Sequence, residues 1–479
     1  MLMELCDVVV FHIDRKQKKD DLISCRLAAL PKGWSHMDSF IHSSFEQRKE
    51  DDSSFSSPVT SWHPSFNILY LTINLVEMQE PWSKQHKIDF KGAKFSLSNS
   101  FAHPLTHAEL VKYTQARGDD ALLDAYDNHS LEYTPNGGSL DLRREISNLY
   151  NDRYNDAGIT ISPEDNVLVT AGGQVAIQLV AQAIRSQHAI VFTPGYQSVV
   201  QSPSWTAGTQ VTEICRKPSQ NWQIDMEAVR AAIRPETDYM IVNEPHNPSG
   251  VIMTRKIQQQ LVDLCREHNI TILADEVYRL LEHDPSSDRL PAFCQVYERA
   301  LSIVSMSKPW GACGISLGWC VSPDKALLQA VWNCQYFGTA CPARAAELQA
   351  IMVLRASDAI LANRLEIIRH NKALLQKVIE RDYPDLLDWI RPNAGAICFV
   401  RFKGPLSSAQ LGTLLAQRGI SIKPTYCFVG HDAVTSDLEE DLASYFRVGF
   451  GERHMPLALD AFVAVMEEFK DEWRTAMQT

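Results

Sequence analysis

The pattern of apolar and polar positions divides the chain near residue 87. Before it, polar and acidic patches such as Glu50-Asp51-Asp52-Ser53-Ser54 surround one isolated apolar run, Phe66-Asn67-Ile68-Leu69-Tyr70-Leu71-Thr72-Ile73. Neither a helical nor an alternating period is sustained there. Residues 1–86 therefore read as a poorly ordered or atypical extension holding at most one regular element. After it, short apolar runs alternate with helical spacings. Strands are predicted at 166–170, 189–192, 239–242, 270–274 and 300–304, several of them running into Gly, Pro or Asn turns. Helices are predicted at 108–115, from Leu142 through Ile146 and Leu149, at 175–184 and at 257–268. A long helical region covers about 342–382. The turn Asn393-Ala394-Gly395-Ala396 then enters a strand at 397–400, and Tyr445-Phe446-Arg447-Val448-Gly449-Phe450 is a last strand-like run. The recurrent strand-turn-helix order predicts an α/β fold, a mostly parallel sheet with helices on both faces.

Composition narrows this picture. A chain of 479 residues has room for two or three domains and a large core. With 45% hydrophobic and 22% charged residues it has the balance of a soluble globular protein. A net charge of −12, with no like-charge tail, argues against nucleic acid as a partner. The cluster Lys16-Gln17-Lys18-Lys19 runs straight into Asp20-Asp21 and reads as a solvated turn. Eleven cysteines show no CxxC pair and no regular spacing, so reduced thiols and no metal site are expected. No run of 18 or more apolar residues predicts a membrane span. The N-terminus lacks the form of a signal peptide, which makes the cytoplasm the expected location.

The candidate chemistry centres on Ser305-Met306-Ser307-Lys308-Pro309-Trp310-Gly311, delivered by the strand at 300–304 and followed by Gly314 and Gly318-Trp319. A lysine in such a setting can condense with an aldehyde. Upstream, Ala171-Gly172-Gly173-Gln174 carries a strand into a helix start. Free N–H groups and the helix dipole make this a ready anion site, although an ordinary βα turn has the same look. Asp275 ends the strand at 270–274, where a buried carboxylate needs a cationic partner. In Asn243-Glu244-Pro245-His246-Asn247-Pro248-Ser249-Gly250, two X-Pro bonds and a glycine hold a rigid turn that presents Asn247. Arg447 stands alone in an apolar run, either on an exposed face or as a two-pronged clamp on a carboxylate. His103 and His107, ahead of the first helix, read either as ordinary surface histidines or as part of a lid. The strand-borne candidates fall at the carboxyl ends of their strands, where open α/β sheets bind ligands.

The lysine segment, together with the motif N-x-P-x-N-P-[ST]-G matched at every fixed position from Asn243 to Gly250, resembles the class I/II aminotransferase family. These are fold-type I pyridoxal-phosphate (PLP) enzymes, and the resemblance covers about residues 90–475. Tyr133, Gly138, Leu142 and Arg143 add a likeness to the family's Y-x-x-x-x-G-x-x-x-L-R signature. The resemblance implies a large PLP-binding domain at 131–345, with a mostly parallel seven-stranded-type sheet. It implies a segment packing near the active site at 87–130, and a linking helix with a small α/β C-terminal domain at 346–479. By the same resemblance Lys308 carries the cofactor and serves as base at the substrate Cα. Asp275 meets the ring nitrogen, while Asn247 and Tyr278 share the phenolic oxygen. Gly172, Gly173, Gln174, Ser305 and Ser307 take the phosphate. Tyr196 stacks on the ring, with Trp205 nearby in sequence. Arg447 clamps the substrate carboxylate, His103 and His107 lie in the lid, and Tyr133 reaches across a homodimer to the neighbour's phosphate.

The chain also departs from the family. The usual lysine segment reads S-x-S-K-x-x-G-x-x-G-x-R-x-G-W, and here Ser316 stands at the phosphate-binding arginine position. Pro309-Trp310 after the lysine is unusual as well. The expectation is a divergent aminotransferase moving nitrogen from an amino acid to a keto acid, in specialised metabolism. A carbon–sulfur lyase working by β-elimination, and an oxygen-using PLP oxidase or hydroxylase of arginine-like substrates, are the alternatives. A non-catalytic relative is the reading that Lys308, Asp275, Asn247 and Arg447 argue against.

Overall fold

The computed structural model describes residues 93–153, 158–284, 289–339, 341–429 and 440–478. The extension expected at 1–86, with its apolar run, lies outside the described residues. Strand β1 (Phe95–Ser96) comes first. Seven strands then build one sheet: β2 (Val167–Thr170), β3 (His188–Thr193), β4 (Gln210–Cys215), β5 (Thr237–Asn243), β6 (Thr271–Asp275), β7 (Ala300–Ser305) and β8 (Gly318–Val321). Their order is β2-β8-β7-β6-β5-β3-β4. Every neighbouring pair is parallel except the two that involve β8. This is the mostly parallel sheet that the sequence predicts.

Strands β3, β6 and β7 are buried along their whole length. Strands covered on both faces are written as continuous apolar runs, which is why these were visible in the sequence. The edge strand β4 is partly exposed, mixes polar and apolar residues and was not predicted. Neither was the antiparallel β8. The predicted helices appear as His107–Ala116, Leu140–Asn148, Gly173–Ile184 and Arg255–Glu267. The first starts where Thr106 and Glu109 each accept a hydrogen bond from the other's backbone N–H, a capping box.

Beyond the large sheet come β9 (Leu387–Trp389), β10 (Ile397–Phe402), β11 (Ile420–Ser421), β12 (Lys423–Pro424) and β13 (Tyr445–Gly449). Four of them form an antiparallel sheet ordered β12-β13-β10-β9, while β11 pairs in parallel with β1. The long helical region before them is two helices, Arg344–Arg355 and Ser357–Lys377, separated at Ala356. Among the described residues no helix is long and apolar enough to cross a membrane.

Residues 97–105 form a strap between the small sheet and the loop after β7. The Leu97 N–H donates to Ser421 O (2.8 Å), and Leu97 O accepts from the Gly449 N–H (2.7 Å). Ala102 N–H reaches Lys308 O (3.1 Å) and Leu105 N–H reaches Gly311 O (2.9 Å). Gly311 has φ +66°, and a Cβ there would lie 2.1 Å from His103 O, so only glycine lets the strap come this close. Next to it, fully buried Trp310 donates its indole N–H to Ser357 Oγ at 2.8 Å and packs against Trp319. The unusual Pro309-Trp310 pair thus fastens the lysine loop to the helix Ser357–Lys377.

Gly311→Ala is therefore expected to lower unfolding stability by about 1–3 kcal/mol through left-handed strain alone, and further through the clash with the strap. Gly314→Ala meets nothing within 4 Å and should stay within about 0.5 kcal/mol of the parent. Denaturant titration of both variants checks the contrast.

Candidate active site

The carboxyl ends of β5, β6 and β7 and the start of the helix Gly173–Ile184 open onto a cavity of about 420 Å³. Lys308, Asp275, Tyr278, Asn247, Tyr196, Ser305, Ser307, Gly172, Gly173 and Gln174 all line it, as does Arg447 from β13. Residues scattered over more than 270 positions of sequence thus share one wall. Sequence reasoning had not singled out Ser100, Cys313 and Lys423, which line it too.

Asp275 is 2% exposed at the end of β6. Its carboxylate accepts from Asn243 Nδ2 (3.2 Å) and from the Val277 N–H (3.4 Å). Burial pushes it up to about 7, against the opposing pull of the Val277 hydrogen bond and of Lys308. Asn243 also accepts the Asn247 N–H at 2.6 Å. The carboxylate and the Asn247 turn are therefore built as one unit.

The Lys308 ammonium donates to Ser100 Oγ at 2.9 Å. Burial, and then the Arg447 charge, hold its pKa below the ordinary lysine value. Ser100 also hydrogen-bonds Tyr278, whose hydroxyl burial holds above its usual value while Arg447 and Ser100 pull the other way. Nothing in the sequence marked this serine. Its role comes from the strap, whose path is fixed by backbone hydrogen bonds that leave no side-chain signature.

Arg447 is 3% exposed, which rules out the exposed-face reading. One of its terminal nitrogens donates to Asn247 Oδ1 (3.0 Å) and the other to Ser98 O (2.7 Å). Its Nε is buried and has no hydrogen-bond partner among the described residues. The guanidinium stacks over Phe428 at 5.2 Å. Lys423 sits beside it, and burial followed by the Arg447 charge brings Lys423 down to about 8.

His103 and His107 do not line the cavity. The His103 ring accepts from the Arg453 N–H (3.4 Å), and His107 lies against Tyr126. Tyr133 is 97% exposed and lies away from this chain's cavity. Tyr196, not Trp205, lines the cavity, with its hydroxyl donating to Gln174 Oε1 at 3.2 Å. Ser316 faces the same space in a left-handed conformation, φ +53°. Among the described residues no His, Cys, Asp and Glu cluster could hold a metal ion.

This donor set fits a flat, phosphorylated, cationic-ring aldehyde. A lysine amine and a buried carboxylate lacking an ion pair face one space, with a helix N-terminus and two serines on its wall.

The chain belongs to the aminotransferase class I and II family, whose model matches residues 107–449. It is thus a fold-type I enzyme, a transferase that uses pyridoxal phosphate. It is 27% identical to the capreomycidine synthase of Streptomyces vinaceus, over 76% of this chain and 91% of that one. It is 26% identical to the arginine–pyruvate transaminase of Pseudomonas aeruginosa, over 63% and 76% of the two chains. In three dimensions it is similar to a PLP-dependent aminotransferase from Streptococcus suis. The TM-score is 0.70 at 24% identity, covering 83% of this chain and 97% of that one.

Removing the Ser100 hydroxyl should matter if it steers the Lys308 amine. Ser100→Ala is expected to lower kcat about tenfold, the scale of one hydrogen bond to a charged group. Ser100→Thr should restore most of the rate. An unchanged kcat and pH profile in Ser100→Ala would make the serine a packing residue only.

Proposed function

We propose that the enzyme moves the amino group of an α-amino acid onto a keto acid, with Lys308 as the acid–base group. The observation that carries this reading is the facing of Lys308, Asp275 and Arg447 across one cavity. Bound pyridoxal phosphate supplies an electron sink that makes the substrate Cα–H acidic. Asp275 would hold a proton on the ring nitrogen, which would relieve its own buried charge. Asn247 and Tyr278 would hold the phenolic oxygen. The Gly172-Gly173-Gln174 turn, Ser305, Ser307 and Ser316 would hold the phosphate. Arg447 takes the substrate α-carboxylate, for which its buried Nε is a waiting donor. Lys308, whose pKa is held down by burial and then by the Arg447 charge, would be the base at the substrate Cα.

In this reading residues 131–345 are the cofactor domain and 346–479 the linking helices and small domain. A homodimer is part of it, supported by Tyr133 and Leu131, which are 97% and 94% exposed. A cytoplasmic location is supported by nine described cysteines that are all free thiols. A role in specialised metabolism is supported by Ser316 and by the likeness to capreomycidine synthase.

Purified PLP-loaded protein, given amino acids with and without a keto acid acceptor, tests the reaction. The expected result is keto acid formed only with an acceptor and without free ammonia. Stoichiometric ammonia with thiol release would move the reading to elimination, and ammonia with oxygen uptake to oxidation. Lys308→Ala should lose about 10³-fold or more in rate, and undiminished turnover in that variant would overturn the assignment.

A further inference from the structure

We propose that one water molecule is built into the protein behind the cofactor cavity, held by Glu244, Glu276 and Arg279, and that through it Glu244 is a positioning residue for the Asn247 turn. The positioning role rests on the reading above that Asn247 meets the phenolic oxygen, whereas the water does not depend on it. Asn243 in β5 lies opposite Asp275 in β6. The next residue along each chain is a glutamate, Glu244 and Glu276. Neither lines the cofactor cavity; both line a second one of about 20 Å³, together with Arg279.

The three side chains are each more than nine-tenths buried. Each holds a backbone group with one polar atom. Glu244 Oε1 accepts from the Met253 N–H (2.5 Å), Glu276 Oε1 accepts from the Phe293 N–H (3.1 Å), and Arg279 Nη1 donates to Leu290 O. Each also has one buried atom with no hydrogen-bond partner among the described residues: Glu244 Oε2, Glu276 Oε2 and Arg279 Nη2. Arg216 Nη1 approaches Glu244 Oε2 only to 3.8 Å. Burial pushes Glu244 up to about 7, against the pull of Arg216 and of the Met253 N–H.

Two acceptors and one donor around a space of this size are the complement of a water molecule. Its two O–H groups serve the carboxylates, and its oxygen takes the guanidinium N–H. A cavity above about 10–15 Å³ admits one water, and a buried water makes about three hydrogen bonds. An ion fits worse. Arg279 opposes a cation and the two carboxylates oppose an anion. The fixed charges also balance, with Glu244, Glu276 and Glu282 set against Arg216, Arg279 and Arg289. Glu244 N–H donates to Asp275 O (3.0 Å), and its side chain reaches across the turn to Met253. The water fastens that side chain to Glu276 and Arg279, in the segment that continues from Asp275. The turn presenting Asn247 and the strand end presenting Asp275 are then joined from behind, as Asn243 joins them in front.

A crystal structure of the PLP-loaded protein, at a resolution that places water, reads the site directly. One water is expected within about 3.2 Å of Glu244 Oε2, Glu276 Oε2 and Arg279 Nη2. Arg279 Nη2 bonded directly to either carboxylate would overturn the proposal. So would the two carboxylates in contact over a shared proton, or a cavity without an ordered water. Cofactor binding, followed by absorbance, reads the positioning role. Glu244→Met keeps the side-chain length and removes both oxygens. It is expected to weaken PLP binding about tenfold and to move the pH midpoint of the bound cofactor's absorbance. Glu244→Gln, which keeps an oxygen for Met253 and a polar atom for the water, should stay within about threefold of the parent. A Glu244→Met protein that is less stable but has the parent's affinity and midpoint would make Glu244 a packing residue and overturn the positioning role. A parental midpoint in Asn247→Ala would remove the reading of Asn247 alone and leave the water standing.

Discussion

A carboxylate buried without an ion pair is costly, and Asp275 is one. Its place at the end of a central strand, between β5 and β7, removes it from water. Two donors, Asn243 and Val277, fix its direction but do not cancel its charge. The folded chain thus holds an electrostatic debt that a cationic ring can discharge, and the rest of the site is arranged around that space. Through Asn243, the same hydrogen-bond set orients the Asn247 turn. Asn247 in turn accepts from Arg447. A chain of three buried contacts therefore runs from the large sheet to the small one.

The strap closes the circuit from the other direction. Ser98 offers its carbonyl to Arg447, and two residues on, Ser100 offers its hydroxyl to Lys308. Arg447 and Lys308 are thus both held by one short segment. That segment is itself pinned at Ser421, Gly449, Lys308 and Gly311 by backbone hydrogen bonds. Backbone contacts of this kind are directional and do not depend on side-chain identity, so they leave no mark in the sequence. The close approach needs glycine at 311, and the loop below it is anchored by Trp310.

Much of this was legible in the sequence because burial leaves a written trace. β3, β5, β6 and β7 are apolar runs, and the residues at their ends are the polar exceptions, so strand and site residue were read together. The Asn243–Gly250 turn was legible because prolines and glycine restrict the backbone. Strand β4 was missed because an edge strand is half wet. β1, β11 and β12 were missed because two residues carry no period. Ser100 and Lys423 were invisible for a related reason. Lys423 lies in β12, whose position depends on pairing with the distant β13, and Ser100 lies in the strap that follows β1 and is placed by backbone hydrogen bonds to distant segments.

The departure at Ser316 bears on the site through charge. The family's lysine segment carries an arginine where Ser316 stands, so the phosphate wall has one cation fewer than expected. Lys423 and Arg447 line the same cavity. Charge interactions fall with distance and with intervening solvent, so a cation acts most strongly on what it adjoins. The donors that line the cavity around Ser316, a helix N-terminus and three serines, are neutral, so they can hold an anion by geometry and partial charge rather than by a full opposite charge.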